Sequence, residues 1–273
     1  MSSETNQKQK DLIRDRFTRT AAVFSSFAVP HRVSLAESLA EMVCAGSDDR
    51  VVDLATGPGT LALRFARRAR WVCGLDLTPA MLARARETAA ADGLSNLSLA
   101  IGDAQLIPFA DGSLDVAVTS YSLHHMADPA RVVSEMSRVV RKGGRVGILD
   151  IRAPADPRVD DLNHRIEIAR DPSHTRSLPV RRLEEILALA GLRILSTRIE
   201  EHHRSFDHWM HVAGWHRGDA PYESARRLME SSIEGDTAGF HPRYSEVPEG
   251  APDSRADMDF VNTSQLVAAE KIA

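Results

Sequence analysis

Residues 51–60 read VVDLATGPGT, in which a short apolar run leads directly into a glycine-containing loop. The apolar run is typical of a buried strand, and glycine is needed where the backbone turns tightly or where a ligand approaches with no Cβ in the way. In open parallel sheets the first strand-to-helix loop usually shapes the ligand site. The stretch therefore predicts a ligand site at residues 53–59, although residues 57–62 also satisfy the dinucleotide fingerprint G-x-G-x-x-A.

The composition favours a globular chain that acts on small or neutral molecules. The 273 residues are 43% hydrophobic and 26% charged, with a formal net charge of −4. This charge creates no field that gathers polyanions, and no long run of Lys and Arg occurs, so we expect no nucleic-acid partner. The polar amino terminus and the lack of a long apolar run predict no membrane span and a cytoplasmic location. The two cysteines, Cys44 and Cys73, are interpreted as small buried apolar residues.

Strand and helix patterns alternate from residue 50 onward, which predicts an α/β fold with a parallel sheet covered on both faces. Strands are predicted at 50–55, 71–76, 97–101, 114–119, 145–151, 193–200 and 260–272. Residues 1–45 carry two helical patterns and are predicted to form an amino-terminal cap. Residues 46–273 are predicted to form the main domain, with segments near 153–178 and 203–255 folding over the site as lids.

Two carboxylates follow predicted strands and suggest how a nucleoside would be held. Asp76 ends the second strand, where its oxygens could accept hydrogen bonds from ribose hydroxyls, although a solvated acid at a loop is an equal alternative. Asp103 follows the third strand, where it could accept from an adenine amino group while the Ala104 N–H donates to the ring. A turn-capping role for Asp103 stays open.

Five motifs in order carry a family resemblance: DLATGPG, GLDLTPAML, GDAQLIPFADGSLDV, SLHHM and RVVRKGG. Together they resemble class I S-adenosylmethionine-dependent methyltransferases, in particular the group around quinone-biosynthesis C-methyltransferases and related small-molecule enzymes. The resemblance implies a Rossmann-like, doubly wound, mostly parallel sheet of seven strands with a reversed last strand. The segment FTRTAAVFSSFAVPHR lacks the Met-Asn pair and His-Arg-x-Trp cluster of the quinone enzymes, so a quinone acceptor is not specified.

The resemblance also implies roles for individual residues around the cofactor S-adenosylmethionine. Residues 53–59 would surround its methionine part, Asp76 the ribose and Asp103 the adenine, and Ser120 would lie beneath the sulfonium. The implied cofactor-binding residues are Asp53, Ala55, Thr56, Gly57, Gly59, Asp76, Leu77, Met81, Gly102, Asp103, Ala104 and Ser120.

Histidines supply the candidate bases, because imidazole titrates near neutral pH. His125 follows the fourth strand and is preferred over its neighbour His124, and His174 in the loop RDPSHTR is the second candidate. Each could instead have only a structural role in the cofactor floor or in a surface turn. Acceptor-binding residues are predicted at Phe17, Phe24, Arg176 and Trp209, and no metal site is predicted, because the carboxyl-terminal histidines match no known ligand spacing.

These features favour methyl transfer from S-adenosylmethionine to an oxygen or carbon of a small, aromatic or polyketide- or quinone-like acceptor, with S-adenosylhomocysteine as the product. One alternative is an S-adenosylmethionine-binding cyclase or regulatory protein on the same fold. Another is an NAD-dependent oxidoreductase that uses the loop at residues 57–62. The expected partner is the small-molecule acceptor, and a homodimer is left open.

Overall fold

Strands and helices alternate along the chain in the computed structural model, which describes residues 3–26, 30–245 and 257–272. The strands are β1 (Arg50–Leu54), β2 (Trp71–Asp76), β3 (Leu97–Ile101), β4 (Leu114–Ser120), β5 (Val140–Ile151), β6 (Leu192–Ser205), β7 (Arg243–Tyr244) and β8 (Met258–Lys271). The helices are α1 (Ser3–Ser26), α2 (Pro30–Val43), α3 (Ala62–Ala66), α4 (Pro79–Ala91), α5 (Pro129–Val139), α6 (Pro157–Arg170), α7 (Val180–Leu189), α8 (Phe206–Val212) and α9 (Ala220–Glu230).

One mixed sheet runs through the molecule in the order β3-β2-β1-β4-β5-β8-β6, and the short β7 pairs with β8. Strands β1 to β5 pair in parallel, whereas β8 is antiparallel to both β5 and β6. The predicted doubly wound sheet with a reversed last strand is confirmed, and β7 is an additional strand that the sequence did not indicate. The chain direction across the sheet reverses between β1 and β4, so their carboxyl ends frame the crevice where such folds bind ligands.

Helices cover the sheet on both faces and build the core there. On one face α5 and α7 bury residues such as Val132 and Leu187, and on the other α2 and α3 bury residues such as Leu39 and Phe65. Because α2 packs directly on the strands, Gly147 of β5 has no room for a side chain. A Cβ at that position would lie 2.6 Å from Cγ2 of Val43. The division into a cap at 1–45 and a domain at 46–273 remains a prediction.

The segment at 153–178, for which the sequence predicts no helix, contains α6 over more than half of its length. Ile166 of α6 belongs to a third apolar cluster with residues of α8, α9 and β8, among them Trp209 and Phe260. Strand β6 also extends to Ser205, past the predicted end at residue 200. None of the helices in the described ranges combines the length and the apolar character that a membrane crossing requires.

Candidate functional site

A cavity of about 430 Å³ opens at the carboxyl ends of β1 and β4. The glycine loop and the segments after β2 and β3 form one side, and α1 and α2 contribute Ile13, Phe17, Val33 and Ala36 to the other. Its size lies within the range of small-molecule sites, which is roughly 300–1,000 Å³. The predicted cofactor residues that line it are Ala55, Thr56, Gly57, Asp76, Leu77, Met81, Gly102, Asp103, Ala104 and Ser120.

The glycine loop is held from behind by Asp53, which is fully buried and does not itself line the cavity. Its Oδ2 accepts hydrogen bonds from Oγ1 of Thr56 at 2.6 Å and from the N–H of Ala62 at 3.0 Å. Burial raises the pKa of Asp53 to about 7, because the charged form loses its hydration. Asp53 therefore shapes the loop and fixes the start of α3 rather than touching the ligand.

The loop has an unusual backbone at three of its positions. Ala55, Gly57 and Gly59 all have positive φ, at 51°, 55° and 85°. For Ala55 this conformation costs roughly 1–2 kcal/mol relative to an ordinary one. Gly59 lies outside the cavity lining and packs on α4, where a Cβ would come within 3.1 Å of Cβ of Ala85. The conformation turns the backbone of residues 55–57 toward the cavity.

Asp76, at the end of the neighbouring strand β2, binds the backbone of the glycine loop. Its Oδ2 accepts from the N–H of Gly57 and its Oδ1 from the N–H of Thr78, both at 2.8 Å. Burial raises the pKa of this carboxyl, while the two backbone donors oppose the shift. Asp76 thus lines the cavity where a ribose is expected, and it also links the glycine loop to the start of α4.

Asp103 lies on the cavity wall but is paired with a residue that sequence reasoning missed. Its Oδ2 lies 2.6 Å from Nζ of Lys10, and its Oδ1 accepts from the N–H of Gln105 at 2.9 Å. Lys10 belongs to α1, whose residues Asn6 and Gln9 also line the cavity. These polar residues continue, toward the amino terminus, the helical face that carries Ile13 and Phe17. Extending that face upstream would have found them.

His125 is the predicted base that the structure places in the cavity wall. Its Nδ1 lies 3.1 Å from both the carbonyl oxygen and Oγ of Ser173, and the ring of Phe17 meets its ring edge-on at 5.1 Å. Burial, together with the neighbouring ring of His124, lowers the pKa of His125 to about 4. At neutral pH the ring is uncharged, as a general base must be before it takes a proton.

His124 and His174 lie behind His125, outside the residues that line the cavity. Nδ1 of His124 is 2.5 Å from Oδ1 of the buried Asp150. Burial disfavours the charged ring of His124, but the carboxylates of Asp150, Glu167 and Asp171 together outweigh this effect and raise its pKa. Burial and the adjacent histidines lower the pKa of His174, whose ring centroid is 5.3 Å from that of His124. Neither ring is placed to reach an acceptor.

The four predicted acceptor-binding residues have three different outcomes. Phe17 lines the cavity, whereas the side chain of Phe24 lies outside the described residues. The prediction for Trp209 is wrong, because this residue is buried in the third apolar cluster against Phe260 and does not line the cavity. The prediction for Arg176 is also wrong, because this residue pairs with Asp160 of α6 and does not line the cavity. Within the described ranges, no group of three or more His, Cys, Asp or Glu side chains is placed to hold a metal.

Comparisons with known proteins identify the segment that supplies the glycine-loop side of this cavity. Residues 51–144 match the family model described as "Methyltransferase domain". This segment is a methyltransferase domain. It contains the glycine loop, Asp76, Asp103 and His125, and the resemblance to class I S-adenosylmethionine-dependent methyltransferases is confirmed.

Relatives of the methyltransferase domain share part of their length with this chain. The uncharacterized methyltransferase YcgJ of Bacillus subtilis is 35% identical over 130 residues, or 48% of this chain and 51% of that protein. A demethylmenaquinone methyltransferase of Thermus thermophilus is 40% identical over 107 residues, or 38% of this chain and 48% of that protein. The chain thus spans about half the length of these curated relatives. A solved structure of a candidate methyltransferase from Bacillus halodurans superposes with a TM-score of 0.78 and 26% identity, covering 88% of this chain and all of that one.

The residues of the methyltransferase domain fit S-adenosylmethionine, the cofactor of this class of fold. Carboxylates lie where the ribose and adenine are expected, and Leu77 and Met81 supply apolar surface for the purine. A side chain in place of Gly57 would be strained by its φ of 55°, so the backbone stays accessible there. The match to a methyltransferase model also argues against the NAD alternative, which rested on residues 57–62 alone.

Proposed function

We propose that this protein transfers the methyl group of S-adenosylmethionine to an oxygen or carbon of a small, aromatic or quinone-like acceptor, with His125 as the base. The observation that carries the proposal is the position of His125, neutral and in the cavity wall, with Nδ1 turned to Ser173. Nε2, on the other side of the ring, has no hydrogen-bond partner among the described residues. It is the ring nitrogen that can receive a proton.

The apolar wall beside His125 supports an acceptor of this class. Ile13, Phe17, Val33, Ala36 and Leu149 line the same cavity as His125, with Phe17 against its ring, and offer an acceptor mainly apolar contact. Several relatives are named ubiquinone/menaquinone biosynthesis C-methyltransferase or demethylmenaquinone methyltransferase, and these names give quinones as their substrates or products. A flat, largely apolar molecule with one acidic O–H or C–H group matches both observations.

Residues of the chain would contribute positioning and proton removal. S-adenosylmethionine, held by the glycine loop, Asp76 and Asp103, would supply an activated methyl group for transfer from its sulfur to the acceptor. His125 takes the acceptor proton on Nε2 and later releases it to water. Phe17 and Ile13 exclude water and hold the acceptor, and positioning of this kind can contribute roughly 7–11 kcal/mol.

Two measurements test this function. Calorimetric titration should show binding of S-adenosylhomocysteine and no comparable binding of NAD; the reverse result would contradict the proposal. Incubation with methyl-labelled cofactor and a panel of hydroxyquinones, phenols and demethylmenaquinone should then give a labelled product. Binding without any labelled product over the panel would favour the cyclase or regulatory alternative.

A substitution links the activity to the proposed base. His125→Gln should bind S-adenosylhomocysteine like the wild type but lose roughly 10²–10⁴-fold in transfer rate, the usual contribution of a positioned base. His203→Gln is the matched control, because His203 is exposed on β6 and lies outside the cavity lining. It should keep full activity.

A further inference from the structure

The hydrogen bonds behind His125 determine which of its ring nitrogens carries the hydrogen. The carbonyl oxygen of Ser173, 3.1 Å from Nδ1, can only accept. Oγ of Ser173 is also 3.1 Å from Nδ1, but its own hydrogen is directed to Oδ1 of Asp171 at 2.7 Å. Oγ therefore faces the ring as an acceptor too. With two acceptors at Nδ1, the neutral ring carries its hydrogen there, and its lone pair is on Nε2.

Asp171 holds Ser173 in this orientation. Its Oδ1 accepts from both the N–H and the hydroxyl of Ser173, at 3.0 and 2.7 Å. Its Oδ2 accepts from Nε of Arg16 at 3.1 Å, and both side chains of this ion pair are only 5% exposed. A buried carboxylate needs such a partner to stay charged. The order of contacts is therefore Arg16, Asp171, Ser173, His125.

Arg16 comes from α1, the helix that also covers the cavity. Gln9 of the same helix donates from Nε2 to the carbonyl oxygens of His125 and Ser173, at 2.9 and 2.6 Å. Both ends of the contact between Ser173 and His125 are thus tied to α1. The contacts that hold His125 therefore include residues of α1, a helix far from His125 in sequence.

We propose that Arg16, Asp171 and Ser173 are positioning residues that hold His125 with its hydrogen on Nδ1 and its lone pair on Nε2, toward the acceptor. The purpose of this arrangement rests on the proposed function, in which Nε2 receives the proton. The arrangement itself does not depend on it, because the tautomer can be measured without any acceptor. Isolated neutral histidine favours the hydrogen on Nε2, so the opposite tautomer is a specific signature of these contacts.

Other charged and titratable groups surround the ring and define the conditions of the test. His124 adjoins it in the same turn at 4.2 Å between centroids, with Asp150 of β5 behind. His174 lies 6.3 Å away in the loop after α6, and Arg16 approaches from α1. Measurement near pH 7.5 keeps the ring of His125 neutral, so that the two tautomers are compared without protonation.

The test is nitrogen NMR of the full chain with ¹⁵N-labelled histidine rings, in which His125→Gln identifies the His125 signals by their loss. The wild type should show a protonated Nδ1 and an unprotonated Nε2. Asp171→Ala should transfer at least half of the population to the other tautomer, whereas Asp171→Asn, which keeps an acceptor oxygen for Ser173, should retain the wild-type pattern. Asp160→Ala is the matched control, since Asp160 lies on α6 and pairs with Arg176 away from the cavity.

The outcomes separate this proposal from the proposed function. If the His125 ring of the wild type carries its hydrogen on Nε2, the positioning role is overturned whatever the activity. This measurement is made on the wild type and does not depend on the folding of a variant. An unchanged tautomer in Asp171→Ala also overturns it, provided that the variant binds S-adenosylhomocysteine within about twofold of the wild type. The expected tautomer together with no methyl transfer would leave the positioning role standing and contradict the proposed function.

Discussion

At the scale of single residues, the cavity wall brings together histidines whose charges differ because their neighbours differ. His124 is within 2.5 Å of the Asp150 carboxylate, which favours its protonated form. The ring centroid of His125 lies 4.2 Å from that of His124, with the two rings tilted, and its Nδ1 faces the carbonyl and hydroxyl oxygens of Ser173. Burial, together with the neighbouring ring of His124, disfavours a charge on His125. The charged form is therefore favoured more at His124 than at His125, and His125 stays neutral and available as a base.

The lowered pKa of His125 should appear in the pH dependence of stability. Its folded pKa of about 4 lies below the unfolded value, so between pH 6.5 and 4 the unfolded chain takes up a proton that the folded chain does not. Stability must then fall as the pH falls, by about 2 kcal/mol between pH 7 and pH 5 for this residue. Urea unfolding at both pH values should show His125→Gln losing about 2 kcal/mol less than the wild type. His203→Gln should follow the wild type, and equal losses in all three proteins would contradict the expectation.

At the scale of elements, the sequence predicts strands well where short apolar runs alternate with helical patterns. Strands β1 to β5 lie in such runs, and the loops after β2 and β3 carry Asp76 and Asp103 into the cavity as expected. Helix α6 was missed because its buried side chains include Asp160, Asn163 and Glu167, which interrupt the apolar pattern. Lys10 and Asp171 were missed because their roles depend on how α1 packs, and periodicity does not contain that information.

The fit of α2 against the sheet gives a prediction for Gly147→Ala. The new Cβ would lie 2.6 Å from Cγ2 of Val43 and 3.1 Å from Cγ1 of Val118, both on stiff, fully buried β-branched residues. Overpacking of this kind costs roughly 1–3 kcal/mol. Thermal and urea unfolding should show a loss in that range, partly restored by adding Val43→Ala. In the control Gly46→Ala the nearest atom is 3.8 Å away, so a loss as large as that of Gly147→Ala would contradict the packing argument.

At the scale of the whole molecule, α1 lies across the carboxyl ends of several strands and covers the cavity. Lys10 binds Asp103 after β3, Gln9 binds the carbonyl of His125 after β4, and Arg16 binds Asp171 in the segment that follows β5. One helix thus contacts the predicted adenine side and the base side of the same cavity. Because these contacts hold α1 over the cavity, we expect cofactor exchange to depend on the position of α1.

Loosening α1 should therefore speed the exchange of S-adenosylhomocysteine. Lys10→Met removes an ion pair whose side chains are 20% and 21% exposed. Such a pair is worth about 1 kcal/mol, or roughly fivefold in a rate constant. Surface plasmon resonance should show association and dissociation of S-adenosylhomocysteine both faster by about fivefold. The Kd should change by less than about twofold, because the ion pair slows entry and exit of the ligand equally.

The matched control for this exchange is Lys8→Met. Lys8 lies on the same helix and pairs with Glu4, but both side chains are more than 70% exposed, so its loss leaves the contacts across the cavity intact. Its exchange rates should equal those of the wild type. If Lys10→Met also exchanged at the wild-type rate, α1 would be a fixed wall and the ligand would leave by another route. If both variants were equally fast, the charge of α1 rather than the contact with Asp103 would control exchange.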